Sequence, residues 1–278
     1  MRYYLDTTSL RKLSSKLHMF KGENVFTSSL ALVELISGMT ESEFNLRKQV
    51  IHNVVHSGIG IDWDSYKMKM YKAVDLHYDD IESFSLREMI QIIFLSSSLW
   101  EIRNSRIYIT SSDYYTLESF SGLDRDLNMI GISTAKTGIQ EWRKILSKKH
   151  RRYINNELFD KEGLRAYVNS LAEISCSEFI EEITNTRRPS DKYFSALNKY
   201  RRRNSMDLFF HCTQLQYNLA QLKGEEYKMN DTIDLLHTIF LSQEDIIVSD
   251  DKIFRKLHEW HPNLKTCTVD EFLAKQDF

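Results

Sequence analysis

The sequence predicts an α/β protein in which the central sheet is mainly parallel. Short apolar runs alternate with helical patterns over residues 1–80, and the same alternation returns over residues 226–278. This alternation is typical of parallel strands that are joined by crossover helices. The chain contains only 2 prolines and 9 glycines, which favours long helices over a turn-rich β fold. We therefore expect both ends of the chain to contribute to one sheet.

Composition limits the class of protein and its surroundings. A chain of 278 residues with 42% hydrophobic and 27% charged residues is long and apolar enough to fold around a core. Its formal net charge of −2 gives no overall attraction to nucleic acid, so such binding needs local patches. Cys176, Cys212 and Cys267 lack metal-ligand spacing, which favours free thiols in a reducing compartment. Without an apolar run of signal-peptide or membrane length, we expect a cytoplasmic protein that does not contact a membrane.

Acids follow or flank the first two predicted strands. Residues 2–5 predict a strand that ends at Asp6, and Asp6 is either only the cap of the next helix or also part of a site. The helix after the second strand, residues 30–37, carries Glu34 in an otherwise apolar turn. Because a carboxylate is costly to bury without a partner, Glu34 faces either solvent or a polar site.

The following segments predict the rest of the N-terminal part and a helical middle. A helix over residues 41–57, a strand over 58–63 and a helix over 65–76 complete the first part. In the middle we expect helices over residues 86–101, 138–149, 161–184 and 191–222, and a strand over 106–110. We interpret residues 81–225 as a mainly helical insertion in a domain formed by residues 1–80 and 226–278.

The C-terminal part contains two more groups of acids. A predicted helix over residues 231–241 carries Asp231 and Asp234, and Asp234 lies one turn before His237. The strand over residues 245–248 is followed directly by Ser249, Asp250 and Asp251. A helix over residues 252–260, a strand over 265–268 and a helix from residue 269 complete the pattern.

Parallel strands bring such acids together, because their carboxyl ends meet at one edge of the sheet. Clustered carboxylates repel each other unless a cation or water compensates them. No Lys or Arg directly follows these strand ends, so divalent cations with oxygen ligands are the natural counter-charge. The alternative is a solvated acidic surface.

Four stretches resemble the motifs of the PIN domain nucleases, and they occur in the family's order: YYLDTTSL, TSSLALVELISG, NDTIDLLHTIFL and DIIVSDDKIF. In the family's pattern an acid closes the first strand, a Glu follows a Thr/Ser turn, an Asp opens a late helix, and another Asp follows a Thr or Ser after the next strand. The matching residues are Asp6, Glu34, Asp234 and Asp251, with Asp231 and Asp250 as alternatives to the last two. The resemblance implies a PIN-like three-layer α/β/α fold and does not extend to the middle of the chain.

The resemblance also implies a function. It predicts a metal-dependent endoribonuclease in which Asp6, Glu34, Asp234 and Asp251, and alternatively Asp231 and Asp250, hold Mg²⁺ or Mn²⁺. Thr7 and Ser249 are expected to support these ligands. His237 either moves a proton or contacts a phosphate, or it is a packed, hydrogen-bonded histidine.

Partners follow from the same resemblance. We expect RNA as substrate, contacted by Arg201, Arg202 and Arg203, with Tyr200 either stacking on a base or lying in the core. A toxin or defence role with a protein inhibitor fits this activity. The alternatives are a PIN-like module that binds RNA or protein with weak or no catalysis, and a nuclease that cuts single-stranded or flap DNA.

Overall fold

A computed structural model describes residues 1–20, 24–145, 161–203, 205–222, 226–228 and 230–276. The strands are β1 (Tyr3–Leu5), β2 (Val25–Ser28), β3 (Gly60–Asp62), β4 (Ile107–Tyr108), β5 (Tyr114–Tyr115), β6 (Ile246–Val248) and β7 (Lys265–Cys267). Five of them form one sheet in the order β3-β2-β1-β6-β7, in which every neighbouring pair is parallel. The α/β class and the parallel sheet built from both ends of the chain are therefore confirmed.

The helices of the described residues surround this sheet. They are α1 (Thr7–Leu13), α2 (Ser29–Ser37), α3 (Phe44–His56), α4 (Tyr66–Ala73), α5 (Ile81–Leu95), α6 (Leu99–Arg103), α7 (Leu117–Ile145), α8 (Lys161–Thr184), α9 (Asp191–Arg203), α10 (Asp207–Leu222), α11 (Asp231–Leu236), α12 (Lys252–Trp260) and α13 (Val269–Ala274). Short 3₁₀ helices follow α1 and α11, over Ser14–Met19 and His237–Phe240. Hydroxyl caps begin several helices; Ser65 Oγ, for example, accepts the amide hydrogen of Met68.

Several predicted elements have different bounds in the structure. The helix expected over residues 86–101 is divided into α5 and α6, because the backbone is extended at Ser96, where α5 ends, and at Ser98, which caps α6. The helix expected over residues 191–222 is likewise two helices, α9 and α10. The expected strand at 106–110 is the shorter β4, which pairs with the unpredicted β5. The helix expected over 138–149 is the end of α7, and residues 146–149 lie outside the described residues.

Helices cover both faces of the sheet. Successive residues of a strand point to opposite faces. Tyr4 and Ile247 accordingly lie in one buried cluster with residues of α8, α10 and α12. Leu5 and Val248 lie in a second cluster with residues of α1, α3 and α5. This arrangement is compatible with three layers.

The helical middle of the chain is packed on the sheet. Leu164 and Ile180 of α8 and Leu219 of α10 lie in the same cluster as Tyr4 and Ile247. The proposed division into a domain of residues 1–80 and 226–278 and an insertion of residues 81–225 stays a prediction. The two parts share a hydrophobic core in either case.

Two further expectations concern the state of the cysteines and the location of the protein. Cys212 and Cys267 are buried and Cys176 is half-buried, and all three thiols are free. Burial raises the pKa of Cys267 to about 11 and that of Cys176 to about 11, so both are protonated at neutral pH. Within the described residues, no helix combines the length and the apolar character needed to cross a lipid bilayer. The cytoplasmic location stays a prediction.

The strand order defines where a site can form. The chain runs from β1 outward through β2 to β3, and after the helical middle it returns on the other side of β1 with β6 and β7. The direction of winding thus reverses between β1 and β6, and in open α/β sheets the crevice at such a reversal holds ligands at the carboxyl ends of the strands. Asp6 directly follows β1, and Ser249 directly follows β6.

Candidate active site

A cavity of about 270 Å³ opens at the carboxyl ends of the central strands. Asp6, Glu34, Asp234 and Asp251 all line it. These are the four acids that match the family pattern in the sequence, and they come from four separate segments. The acid cavity, as we call this space, therefore brings together the residues that the sequence predicted as a cluster.

Asp6 is fixed by the start of the first helix. Its side chain is buried, at 3% exposure, and its Oδ1 accepts the amide hydrogen of Ser9 at 2.8 Å. Burial raises the pKa of Asp6 to about 6, although the Ser249 hydroxyl and the charge of His237 act in the opposite direction. Both predicted roles of Asp6 are thus compatible, because one oxygen caps α1 while the residue lines the cavity.

Glu34 is held by two donors. Its Oε2 accepts hydrogen bonds from Thr7 Oγ1 and from His237 Nε2, the latter at 2.7 Å. Glu34 lies in the middle of α2, whose other side chains are mainly buried, so the helix points this carboxylate at the cavity. Thr7 therefore contacts the neighbouring carboxylate, and its support of a metal ligand stays a prediction.

His237 connects Glu34 to the core of the protein. It is 2% exposed, and its Nδ1 lies 2.5 Å from the hydroxyl of Tyr4, which is itself 2.6 Å from Ser28 Oγ. Burial lowers the pKa of His237, but the charge of Glu34 and the hydrogen bond to it outweigh burial, so the pKa is raised overall. His237 is thus a packed, hydrogen-bonded histidine that also reaches the site. Sequence reasoning missed Tyr4, because a tyrosine in a buried strand is typical of the core.

The remaining two acids of the cavity differ in their support. Asp251 Oδ2 accepts a hydrogen bond from Thr8 Oγ1 at 3.1 Å, and the Asp251 amide donates to Ser249 Oγ at 3.0 Å. No side chain of the described residues donates a hydrogen bond to the carboxylate of Asp234. Burial raises the pKa of Asp234 well above its usual value, and the charges of the other three acids of the cavity raise it further.

The two alternative acids lie outside this cavity. Asp231 Oδ2 accepts hydrogen bonds from the Lys228 amide at 3.0 Å and from Gln216 Nε2 at 2.5 Å. Asp250 forms an ion pair with Lys12 and accepts the amide hydrogen of Val269 at 3.2 Å. Asp231 and Asp250 line a second cavity together with Asp234 and Asp251, so the choice within each pair stays a prediction. Lys12, on the helix that follows β1, is also a neutralising cation that the sequence did not reveal.

The donor set of the acid cavity fits a hard divalent cation. All four acids offer oxygen atoms, and within the described chain no Lys or Arg side chain forms an ion pair with any of them. Among those same residues, no three Asp, Glu, His or Cys side chains are close enough to hold one ion by themselves. Mg²⁺ keeps several waters and typically binds through only one or two carboxylates, and carboxylate and water ligands also suit Mn²⁺. The cavity therefore fits such an ion held partly through water.

Two arginines also line the acid cavity, and sequence reasoning missed them. Arg47 Nε donates to Glu43 at 2.7 Å, and its Nη1 donates to the carbonyl oxygens of Glu34 and Leu35 at 3.3 and 3.2 Å. Arg11 donates to the other oxygen of Glu43 at 3.2 Å. The four-residue spacing of Glu43 and Arg47 is common on solvated helix faces, so it gave no sign of a site.

The arginines predicted to contact RNA lie elsewhere. Arg201, Arg202 and Arg203 are exposed at the end of α9, and none of them lines the acid cavity. Arg203 pairs with Asp75 at 2.7 Å. Tyr200 is buried and donates to Asp207 at 2.6 Å, so it belongs to the core rather than to a stacking surface.

No protein-family model, curated protein or solved structure matches this chain. The function is therefore inferred from the side chains of the acid cavity themselves.

Proposed function

We propose that the chain is a PIN-like, metal-dependent nuclease that hydrolyses phosphodiester bonds, with RNA as its substrate. The observation that carries this proposal is the acid cavity. Four carboxylates converge at the carboxyl edge of a parallel sheet, at the point where its winding direction reverses, and no Lys or Arg side chain of the described residues pairs with them. Such a self-repelling cluster is costly to a protein that has no cation to bind there.

In the proposed reaction the four acids of the cavity are the metal ligands. Asp6, Glu34, Asp234 and Asp251 would hold Mg²⁺ or Mn²⁺, some of them only through bound water. When bound, the metal supplies a water of lowered pKa for attack on phosphorus and compensates charge on the leaving oxygen.

The surrounding donors orient these carboxylates. Thr7 and His237 fix the orientation of Glu34, and Thr8 fixes that of Asp251. Ser249 accepts the amide hydrogen of Asp251 and so sets the backbone that carries this acid. No side chain is needed as a nucleophile, because the water is the attacking group.

Cleavage of end-labelled single-stranded RNA and DNA with Mn²⁺ tests the proposal, with EDTA and Asp6→Asn as controls. We expect RNA to be cut only with the metal and with Asp6 intact. Asparagine retains an oxygen that accepts the Ser9 amide hydrogen, so Asp6→Asn keeps the helix cap and the fold. Cleavage of DNA but not RNA would show that the substrate is DNA and would leave the proposed hydrolysis reaction unchanged.

A matched pair of neighbouring acids sharpens this test. Asp251→Asn should abolish cleavage, whereas Asp250→Asn, which alters an acid paired with Lys12 outside the cavity, should retain it. Calorimetric titration with Mn²⁺ separates the remaining outcomes. A folded protein that binds Mn²⁺ but cuts neither nucleic acid would indicate a binding module, and a folded protein that binds no Mn²⁺ would refute the proposal.

A further inference from the structure

Arg11 and Arg47 both line the cavity that holds the four acids. Arg11 extends from α1, and its side chain is 41% exposed. Arg47 extends from α3, and its side chain is only 12% exposed. Cations from two separate helices therefore share the cavity with the carboxylates.

These arginines do not neutralise the acids. Within the described residues, the side chains of both pair with Glu43, which does not line the cavity, and neither pairs with a carboxylate that does. Arg47 is held further by the carbonyl oxygens at the end of α2. A guanidinium carries five N–H donors, and the described contacts of Arg11 use one bond to Glu43. Free donors therefore remain beside the cavity.

The backbone at the end of α2 leaves room for Arg47. A Cβ atom at Gly38 would lie 2.5 Å from Arg47 Nη1 and 2.7 Å from its Cζ. A side chain at this position would therefore force the guanidinium of Arg47 to shift. Gly38 thus has a positional role in addition to ending the helix.

We propose that Arg11 and Arg47 bind phosphate groups of the nucleic-acid strand next to the bond that is cut. This inference rests on the proposed nuclease function and names the part of the site that binds the strand. A polyanion approaching four carboxylates on a chain of net charge −2 needs local cations. The planar fork of arginine matches phosphate oxygens and makes strong, charge-assisted hydrogen bonds with them.

Glu43 would then compete with the phosphate. Its two carboxylate oxygens accept hydrogen bonds from Arg11 and Arg47 at 3.2 and 2.7 Å. A bound phosphate would replace Glu43 as the acceptor of some of these hydrogen bonds. Removing the charge of Glu43 should therefore strengthen binding, whereas removing either arginine should weaken it.

Fluorescence anisotropy with a labelled single-stranded 12-nucleotide RNA tests this inference, with Ca²⁺ present and the RNA shown by gel to stay uncut. We expect Arg11→Gln to raise Kd about 10-fold and to reduce the salt dependence of log Kd by about one unit of slope. Lys16→Gln, which removes an equal charge from an exposed side chain outside the cavity, should change Kd less than about 2-fold. A DNA of the same sequence should respond alike, because phosphate is the group contacted.

Two more variants and a further control complete the design. Gly38→Ala should raise Kd as Arg11→Gln does, and it perturbs Arg47 without removing its packed side chain. Glu43→Gln should lower Kd, whereas Glu41→Gln, a like charge change on an exposed residue paired with Arg103, should lower it far less. Equal Kd values for Arg11→Gln and Lys16→Gln would overturn the inference and leave the nuclease proposal standing. Absence of binding by the wild type would also overturn it, and the Mn²⁺ cleavage assay decides the nuclease proposal independently.

Discussion

Individual hydrogen bonds determine how the acid cavity is prepared for a cation. Glu34 accepts from Thr7 and from His237, and His237 is anchored in turn by Tyr4 in the central strand. This chain of contacts fixes the carboxylate before any ligand arrives, so less ordering is needed on binding. Asp234 lacks such donors among the described residues, and burial beside three other acids makes its charge unfavourable.

Tyr4→Phe tests the anchoring contact. We expect the free energy of unfolding to fall by about 1–3 kcal/mol, because His237 Nδ1 and Ser28 Oγ lose a buried partner. We also expect weaker Mn²⁺ binding, because Glu34 becomes less ordered. Urea denaturation and calorimetric titration measure the two effects. Tyr3→Phe is the matched control, and an equal loss in both variants would count against the anchoring role.

Asp234→Asn tests the cost of the uncompensated charge. In EDTA at neutral pH we expect this variant to unfold at a higher temperature than the wild type, because it removes repulsion from Glu34, Asp251 and Asp6. With Mn²⁺ at 100 times its Kd, the wild type should gain about 2.7 kcal/mol and the variant much less. A variant that melts below the wild type in EDTA would contradict this electrostatic account.

Local sequence pattern predicted the acids but not their surroundings. An acid after a short β-prone run, or in an apolar helical turn, stands out in the sequence. Arg11, Arg47 and Tyr4 do not, because a charge on a helix and an aromatic residue in a strand are ordinary there. Their roles arise from contacts between segments far apart in the chain, such as the 203 residues that separate Glu34 from His237.

At the scale of elements, the central strands are also joined at the end opposite the cavity. Arg2 precedes β1 and Asp245 precedes β6, and their side chains form two hydrogen bonds of 3.0 and 2.8 Å. Asp245 Oδ2 also accepts the Ser242 amide hydrogen at 2.8 Å. This pair holds in register the two strands that carry Asp6 and Ser249 at their other ends.

Asp245→Asn should destabilise the protein in a pH-dependent way. Burial raises the pKa of Asp245, but hydrogen bonds from Arg2 and Ser242 outweigh it and lower the pKa overall. The ionised Asp245 carboxylate therefore contributes fully to the free energy of unfolding above about pH 4. This contribution is lost as pH falls through the lower pKa that Asp245 has in the folded state.

We expect a loss of about 1–2 kcal/mol at pH 7, because half-exposed Arg2 is partly screened by solvent. The difference from the wild type should shrink below about pH 4. Denaturation at several pH values measures this difference in the free energy of unfolding. Glu244→Gln, which changes an exposed neighbouring acid, is the control. A difference that stays constant with pH would argue against an ionic contribution.

Helices and strands were predicted correctly where their bounds depend on local sequence pattern. They were predicted incorrectly where tertiary packing determines the bounds. The sheet strands were expected within a few residues of their observed positions. No Pro or Gly lies in the sequence at the breaks between α5 and α6 and between α9 and α10, so we expected single helices there. The β4–β5 hairpin was half predicted, because only one of its two short strands has a clear β pattern.

At the scale of the molecule, one sheet face depends on the middle of the chain. Leu164, Ile180 and Leu219 come from the segment predicted as an insertion and lie in one cluster with residues of the central strands. Sharing of a core is a tertiary property, so composition and periodicity alone could not show that this segment covers the sheet.

Replacement of residues 161–222 by a flexible Gly/Ser linker tests this dependence. We expect the shortened chain to lose cooperative thermal unfolding, because one face of the sheet would be left open to water. Circular dichroism and calorimetry measure the transition. A shortened chain that unfolds cooperatively would show that the two ends form an independent domain.

The separation of the cavity's parts along the chain has a consequence during synthesis. Thr8 and Asp251 are hydrogen-bonded although they are 243 positions apart in the sequence. At about 5–20 residues per second, that interval takes on the order of tens of seconds. Throughout it the emerging polypeptide carries Asp6 and Glu34 without Asp251, so the proposed nuclease remains incomplete while its own messenger is being translated through this region.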